Sequence, residues 1–259
     1  MTGILDGKTA VVYGAGGAIG GAVARSFAAE GAYVHLLGRR REPLHAVDRD
    51  IHSAGGRSAF EVIDALDATA VDRHLDRLVT DKGSVDISFN AVGFDEVQGV
   101  PLVDVTLDDF MFPIINWSQT VFLTSRAAAR RMARSGSGVI LTVKPAAEGS
   151  ALAAGFGVAS AAVDSISRTL AAEVGSSGVR VMILQANALP ESAALRESFR
   201  KYASGLDIDA EQALADVAQA TMLQRLPLLS EVGSVAAFLA SDRASALTGS
   251  VVGVDCGSR

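Results

Sequence analysis

Short β-rich runs and helical stretches alternate along this 259-residue chain from one end to the other, and that alternation restricts its fold more than any other feature. The strand candidates are Thr9–Tyr13, Tyr33–Leu37, Ser58–Ile63, Val85–Val92, Gly138–Val143, Val179–Leu184 and Ser250–Val254. Between them, the helical patterns Ala18–Glu30, Pro43–Ala54 and Ala68–Lys82 each stop at a glycine, the residue that most readily takes the left-handed backbone ending a helix. Thr106-x-x-Asp109 reads as a capping box opening a helix that continues to Arg134, with Pro113 expected to bend it by removing a backbone donor. Strand–helix–strand units pack as right-handed crossovers. The pattern therefore predicts an α/β fold, a doubly wound seven-stranded parallel sheet with helices on both faces. One domain spanning 1–259 accounts for the chain, without linker or internal repeat, and Ala188–Leu223 stands out as a polar, helical insertion between the sixth and seventh strands.

Composition narrows the function classes. The chain is 49% hydrophobic and long enough to bury one large core, while its formal charge of −6 argues against a general nucleic-acid or anionic-membrane binder. No apolar run approaches the roughly 18 residues of a membrane span. Met1–Gly7 is short and polar, so no signal peptide is expected. The single Cys256 excludes an internal disulfide and suits a cytoplasmic location. His35, His45, His52 and His74 lack partner cysteines or carboxylates at ligand spacing, so no metal is expected.

The first strand runs into YGAGGAIG, Tyr13 to Gly20, just before the first helix. Glycines let the backbone approach a pyrophosphate, and the free amides at a helix N-terminus face the anion. Gly14, Gly16, Gly17, Ile19 and Gly20 are the candidate residues. The second strand ends LLGRRR, without the acidic side chain that would hold a ribose 2′-hydroxyl. Arg39 and Arg40 offer a 2′-phosphate bidentate guanidinium contacts, so NADP(H) is expected in preference to NAD(H). At least one of the three arginines in that run is expected to be merely solvated.

With DISFNAVG (86–93), GVILTVKPAAEG (138–149) and FGVASAAVDSISRTLAAEVG (156–175), the chain resembles the short-chain dehydrogenase/reductase family over essentially its whole length. The resemblance implies a Rossmann fold, an NAD(P)-dependent oxidoreductase and a small-molecule substrate. It also implies a dimer or tetramer built through the helices at Leu107–Arg134 and Ala159–Val174 and the C-terminal strand. By position, Asp64 matches the family's adenine-contacting aspartate, Asn90 and Gly93 match its fourth-strand motif, and Asn116 matches the asparagine supporting a proton-relay water. Residues 188–223 correspond to its substrate-covering lid.

Several departures concern chemistry. Phe156 and Ser160 occupy the family's catalytic Tyr and Lys positions, and no Tyr of this chain has a Lys four residues later. Lys144 and Pro145 stand where the fifth strand carries a substrate-orienting serine, and Ala186-Asn187 replaces Pro-Gly after the sixth. Phenylalanine has no proton to give, and a serine cannot carry a lysine's charge. Lys144 is either an ammonium able to polarise a carbonyl or a partly exposed strand-end lysine whose stem packs on apolar neighbours. Three readings follow. The first is an NADP-dependent oxidoreductase with a non-standard proton source, such as Lys144 or Tyr202. The second is a degenerate subunit that holds a nucleotide or a partner without turnover. The third is a lyase or isomerase that uses Lys144 and Glu148 as acid and base.

Overall fold

The computed structural model describes residues 3–257; Met1 and Thr2 of the polar N-terminal stretch, and the last two residues, lie outside the described residues. Seven strands form one parallel sheet: β1 (Thr9–Tyr13), β2 (Tyr33–Gly38), β3 (Arg57–Val62), β4 (Ile87–Asn90), β5 (Gly138–Lys144), β6 (Val179–Ala186) and β7 (Val251–Val254). Their order is β3-β2-β1-β4-β5-β6-β7. The winding reverses between β1 and β4, where Tyr13 pairs with Asn90. A crevice outside the strand C-termini at such a reversal is where doubly wound sheets take their ligands.

The helices are α1 (Ala18–Ala29), α2 (Arg41–Ser53), α3 (Ala68–Lys82), α4 (Leu107–Ser135), α5 (Gly155–Val174), α6 (Ala193–Gly205), α7 (Ala210–Ala220) and α8 (Leu229–Ala240). Helices α1 to α5 and α8 cover the sheet with apolar stripes, while α6 and α7 pack on each other. On one face Phe27 of α1, Leu44 of α2 and Val232 of α8 pack on Leu36, Phe89 and Leu141. On the other, Leu75 of α3 and Ala128 and Met132 of α4 pack on Val11, Ile140 and Val181. Trp117 and Val121 of α4 meet Ala159 and Val163 of α5 over Ile183. Arg131 ties α4 to α3, its guanidinium reaching Asp72 at 2.8 Å and Asp76 at 2.7 Å.

Element ends depart from the sequence reading where side chains compete with the ladder. β4 is shorter than Val85–Val92. Asp86 spends its carboxylate on the Thr9 amide at 2.7 Å, and Asn90 Oδ1 turns the chain by accepting the Val92 N–H at 3.0 Å. Helix α2 begins two residues earlier than Pro43, because a proline in the first turn needs no backbone donor. Thr106 caps α4 as expected, accepting the Asp109 N–H at 3.2 Å, and the helix is continuous through Pro113. The insertion after β6 holds α6 and α7, capped by Ser192 and Asp209. The loop after β4 lies against α6, where Lys201 pairs with Asp95 at 2.6 Å. No helix among the described residues is long and apolar enough to cross a membrane.

Candidate active site

The glycine loop is held by its own backbone. Gly14 has φ +74°, and a Cβ there would meet the Ala91 carbonyl at 2.3 Å. A Cβ at Gly20 would meet the Gly14 carbonyl at 2.3 Å, so both positions demand glycine on packing grounds alone. Gly17 N-caps α1 with no side-chain hydrogen bond, and no acidic residue lies in the first turn. The first-turn amides thus have no side-chain partner, an arrangement that fits a pyrophosphate. Gly16 and Ile19 flank this turn, and the space around Gly93 is open across the crevice. Asn90 is buried and committed: its amide donates to Thr124 Oγ1 at 2.9 Å while its oxygen holds Val92.

Arg39 and Arg40 emerge exposed at the C-terminal end of β2, and neither makes an ion pair among the described residues. Arg41 differs, with its guanidinium 5.2 Å from the centroid of the Phe60 ring. Asp64 follows β3, exposed, and its carboxylate accepts the Leu66 N–H at 3.0 Å. Arg39 and Arg40 thus present two exposed positive charges at the end of β2, and Asp64 an exposed carboxylate beyond β3.

The β5/α5 side is different. Phe156 lies in the first turn of α5 and stacks on Trp117, with centroids 5.2 Å apart and planes 13° from parallel. No hydroxyl is present there to exchange a proton. Asn116, on α4, donates one amide N–H to the Phe112 carbonyl of its own helix at 2.8 Å. Lys144 corrects the expectation of a partly exposed lysine: it is only 2% exposed. Strand alternation turns it toward α5, together with Ile140 and Thr142, and its Nζ donates to Glu148, to Ser160 Oγ at 3.2 Å and to Asp164 Oδ2 at 3.1 Å.

Ser160 is fully buried, and its single hydroxyl proton lies between two acceptors, Glu148 Oε1 at 2.9 Å and the Pro145 carbonyl at 3.1 Å. Burial pushes the Glu148 carboxyl up, but hydrogen bonds from Lys144, the backbone and Ser160 outweigh it and hold the pKa below its ordinary value. Asn187, at the altered Pro-Gly position, anchors the loop after β5 by accepting the Ala146 N–H at 2.7 Å. Leu152, Ala154 and Ala188 carry positive φ values of 61°, 46° and 46°, so non-glycine strain gathers on this side of the crevice.

The structure thus brings Ser160 to Lys144 and Glu148, the pair the sequence offered together as acid and base. Two partners escaped sequence reasoning. Asp164 lies four residues after Ser160, a spacing that signals a shared helical face. Trp117 carried no such signal.

An open parallel sheet with a glycine loop at its first turn and a crevice at its winding reversal defines a doubly wound α/β protein of the ligand-binding kind. A family model described as "Enoyl-(Acyl carrier protein) reductase" matches residues 14–259, and the chain belongs to the short-chain dehydrogenase/reductase family. It is 33% identical to "Oxidoreductase asL5" of Sarocladium schorii, over 98% of this chain and 96% of that one. It is 31% identical to "D-threitol dehydrogenase" of Mycolicibacterium smegmatis, over 98% and 93%. The crystal structure of an NAD+-bound xylitol dehydrogenase superposes with a TM-score of 0.92 at 25% identity, covering 98% of this chain and 99% of that one.

Proposed function

We infer that this chain is an NADP(H)-dependent oxidoreductase interconverting an alcohol and a carbonyl compound, with its proton supplied from the Lys144 network rather than from a tyrosine. The observation that carries this reading is the ammonium of Lys144, buried at the crevice end of β5 and hydrogen-bonded to the serine standing at the family's lysine position. Gly14, Gly16, Gly17, Ile19 and Gly20 would hold the pyrophosphate, and Arg39 and Arg40 the 2′-phosphate. Asp64 would hold the adenine, while Asn90 and Gly93 would border the nicotinamide side. When bound, the dinucleotide supplies the hydride exchange. The protein's share is to orient, to exclude water and to hold the proton. Asn116 keeps its place on α4 with one amide N–H on the Phe112 carbonyl, which leaves its second N–H and its oxygen to hold a water.

The whole chain reads as one domain, with α6 and α7 as its lid over a small-molecule substrate. Phe112, Ile115 and Phe122 on α4 and Val158 on α5 are exposed apolar residues, which supports self-association into a dimer or tetramer through these helices. A second reading, a nucleotide-holding subunit without turnover, is favoured by Phe156: it has no proton to give, and its ring is stacked on Trp117.

Calorimetric titration with NADPH and NADH, followed by an oxidation panel of D-threitol, xylitol and cyclohexanol, separates the two. Tight NADPH binding with turnover supports the oxidoreductase. Binding without turnover leaves the non-catalytic reading, and a protein that binds no dinucleotide overturns both.

A further inference from the structure

Glu148 is set against the helix face that carries positions 156 and 160. Its Cα lies 3.8 Å from where a side chain at Gly157 would begin. Its Oε1 accepts the Ser160 hydroxyl at 2.9 Å and the Lys144 ammonium, while Oε2 accepts the Ala147 N–H at 3.1 Å. Residues four apart on a helix lie one above the other, so this carboxylate borders the patch where the Phe156 ring leaves no acid and the Ser160 side chain leaves no charge. Lys144 and Ser160 are sealed from solvent, but the Glu148 side chain keeps 35% of its surface exposed. Asp164 also reaches solvent, at 25% of its side-chain surface, but Glu148 is the more exposed of the two carboxylates and the one that bonds Ser160 directly, so a proton exchanged with a substrate has a route through it.

We propose that Glu148 is the catalytic proton-transfer residue of this chain, with Lys144 and Ser160 as positioning residues that fix its carboxylate. The assignment rests on the oxidoreductase reading above. In alcohol oxidation the substrate O–H bond breaks and its proton goes to Glu148. The freed electron pair closes the C=O bond as the C–H hydride is lost to the oxidised nicotinamide dinucleotide, and Glu148 then passes its proton to water. Carbonyl reduction runs the same steps backward and must start from the carboxylic acid. The groups facing Glu148 are Lys144 from β5 and Ser160 from α5, with Asp164 of α5 behind Lys144. Together they keep the carboxylate ionised at neutral pH. The residue is therefore set to accept a proton, and oxidation is the direction it serves.

The test uses the full chain with NADP+ and the best alcohol of the panel. Glu148→Gln is expected to lower kcat by about 10²–10⁴-fold with NADPH affinity unchanged, and Glu148→Asp to recover part of the loss. The parent pH profile should be flat through neutrality and fall on the acid side, below the usual glutamate range of about 4.3. A second readout needs no turnover. In protein labelled with δ-¹³C glutamate, the resonance missing from Glu148→Gln should titrate at the same low midpoint. That midpoint should rise in Lys144→Met and, less, in Ser160→Ala. Turnover that survives in Glu148→Gln, or a Glu148 midpoint indifferent to both neighbours, overturns the proposal alone. A parent protein that binds no dinucleotide, or binds it and oxidises no alcohol of the panel, overturns the oxidoreductase reading and the proposal with it.

Discussion

The ammonium of Lys144 lies 3.2 Å from the hydroxyl of Ser160, and both residues are almost wholly buried at the crevice end of the sheet. A charge on strand β5 therefore stands beside a position on helix α5 that carries none. The two carboxylates that balance it, Glu148 and Asp164, are themselves partly exposed, at 35% and 25% of their side-chain surface.

Removing that ammonium leaves two carboxylates without their counter-charge. Breaking a buried pair costs about 3–5 kcal/mol, and the partial exposure here favours the lower end. Lys144→Met should therefore be about 3 kcal/mol less stable than the parent near neutral pH in urea denaturation. Adding Asp164→Asn should return part of the loss. Parental stability in Lys144→Met would show that the network carries no such coupling.

Restoring the family pair as Phe156→Tyr with Ser160→Lys is not expected to give ordinary ketone reduction with NADPH. The new lysine would enter a fully buried position already touching Lys144, while Pro145 and the Asn187-held loop also depart from the family pattern. Brisk reduction by that double variant would mean the rest of the crevice is unaltered in function.

Arg39 and Arg40 are expected to set the cofactor preference. A charge-assisted hydrogen bond to phosphate is worth about 1.5–3 kcal/mol, or roughly tenfold to over a hundredfold in affinity. NADPH should bind tighter than NADH by such a factor, and Arg39→Ala should lose most of it. Equal or tighter NADH binding by the parent protein in calorimetry defeats the argument.

Tyr13 is buried in the layer between the sheet and α3–α4, and its hydroxyl has no hydrogen-bond partner among the described residues. Burial holds the phenol well above its ordinary range, opposed by Arg131 and reinforced by Asp72. An unsatisfied buried polar group costs about 1–3 kcal/mol. Tyr13→Phe should therefore raise the melting temperature and leave NADPH affinity untouched. A lower melting temperature would reveal a partner for that hydroxyl.

Acid should weaken the fold through the β2–α3 histidines. Burial, with the nearby His74 and Lys82, pushes His35 down to about 4 against the opposing pull of Glu61. His74 is lowered too, by burial first, with Glu61 opposing. An unfolded histidine titrates near 6.5, so between about 6.5 and 4 the unfolded chain binds a proton that the folded one refuses. Stability must then fall as pH drops through that window. Urea midpoints at about pH 7 and about pH 5 measure it, and His35→Phe should shrink the difference. Equal midpoints in the parent would rule the mechanism out.

The alternation of strand and helix determined the sheet, because hydrophobic periodicity and glycine stops are local properties that each segment carries by itself. All seven strands and the glycine loop at the first turn were legible for that reason, and so was the cap at Thr106. The chemistry of the β5/α5 side was not. Phe156 and Ser160 showed only what was missing, and Lys144 read more readily as a partly exposed strand-end lysine, because sequence neighbours do not report burial. Only the tertiary structure decided it: β5 turns residue 144 toward α5, the helix brings Ser160 and Asp164 over it, and the loop folds Glu148 back against the same ammonium. A buried charge draws its partners from wherever the chain can deliver them, here across 4, 16 and 20 residues of sequence.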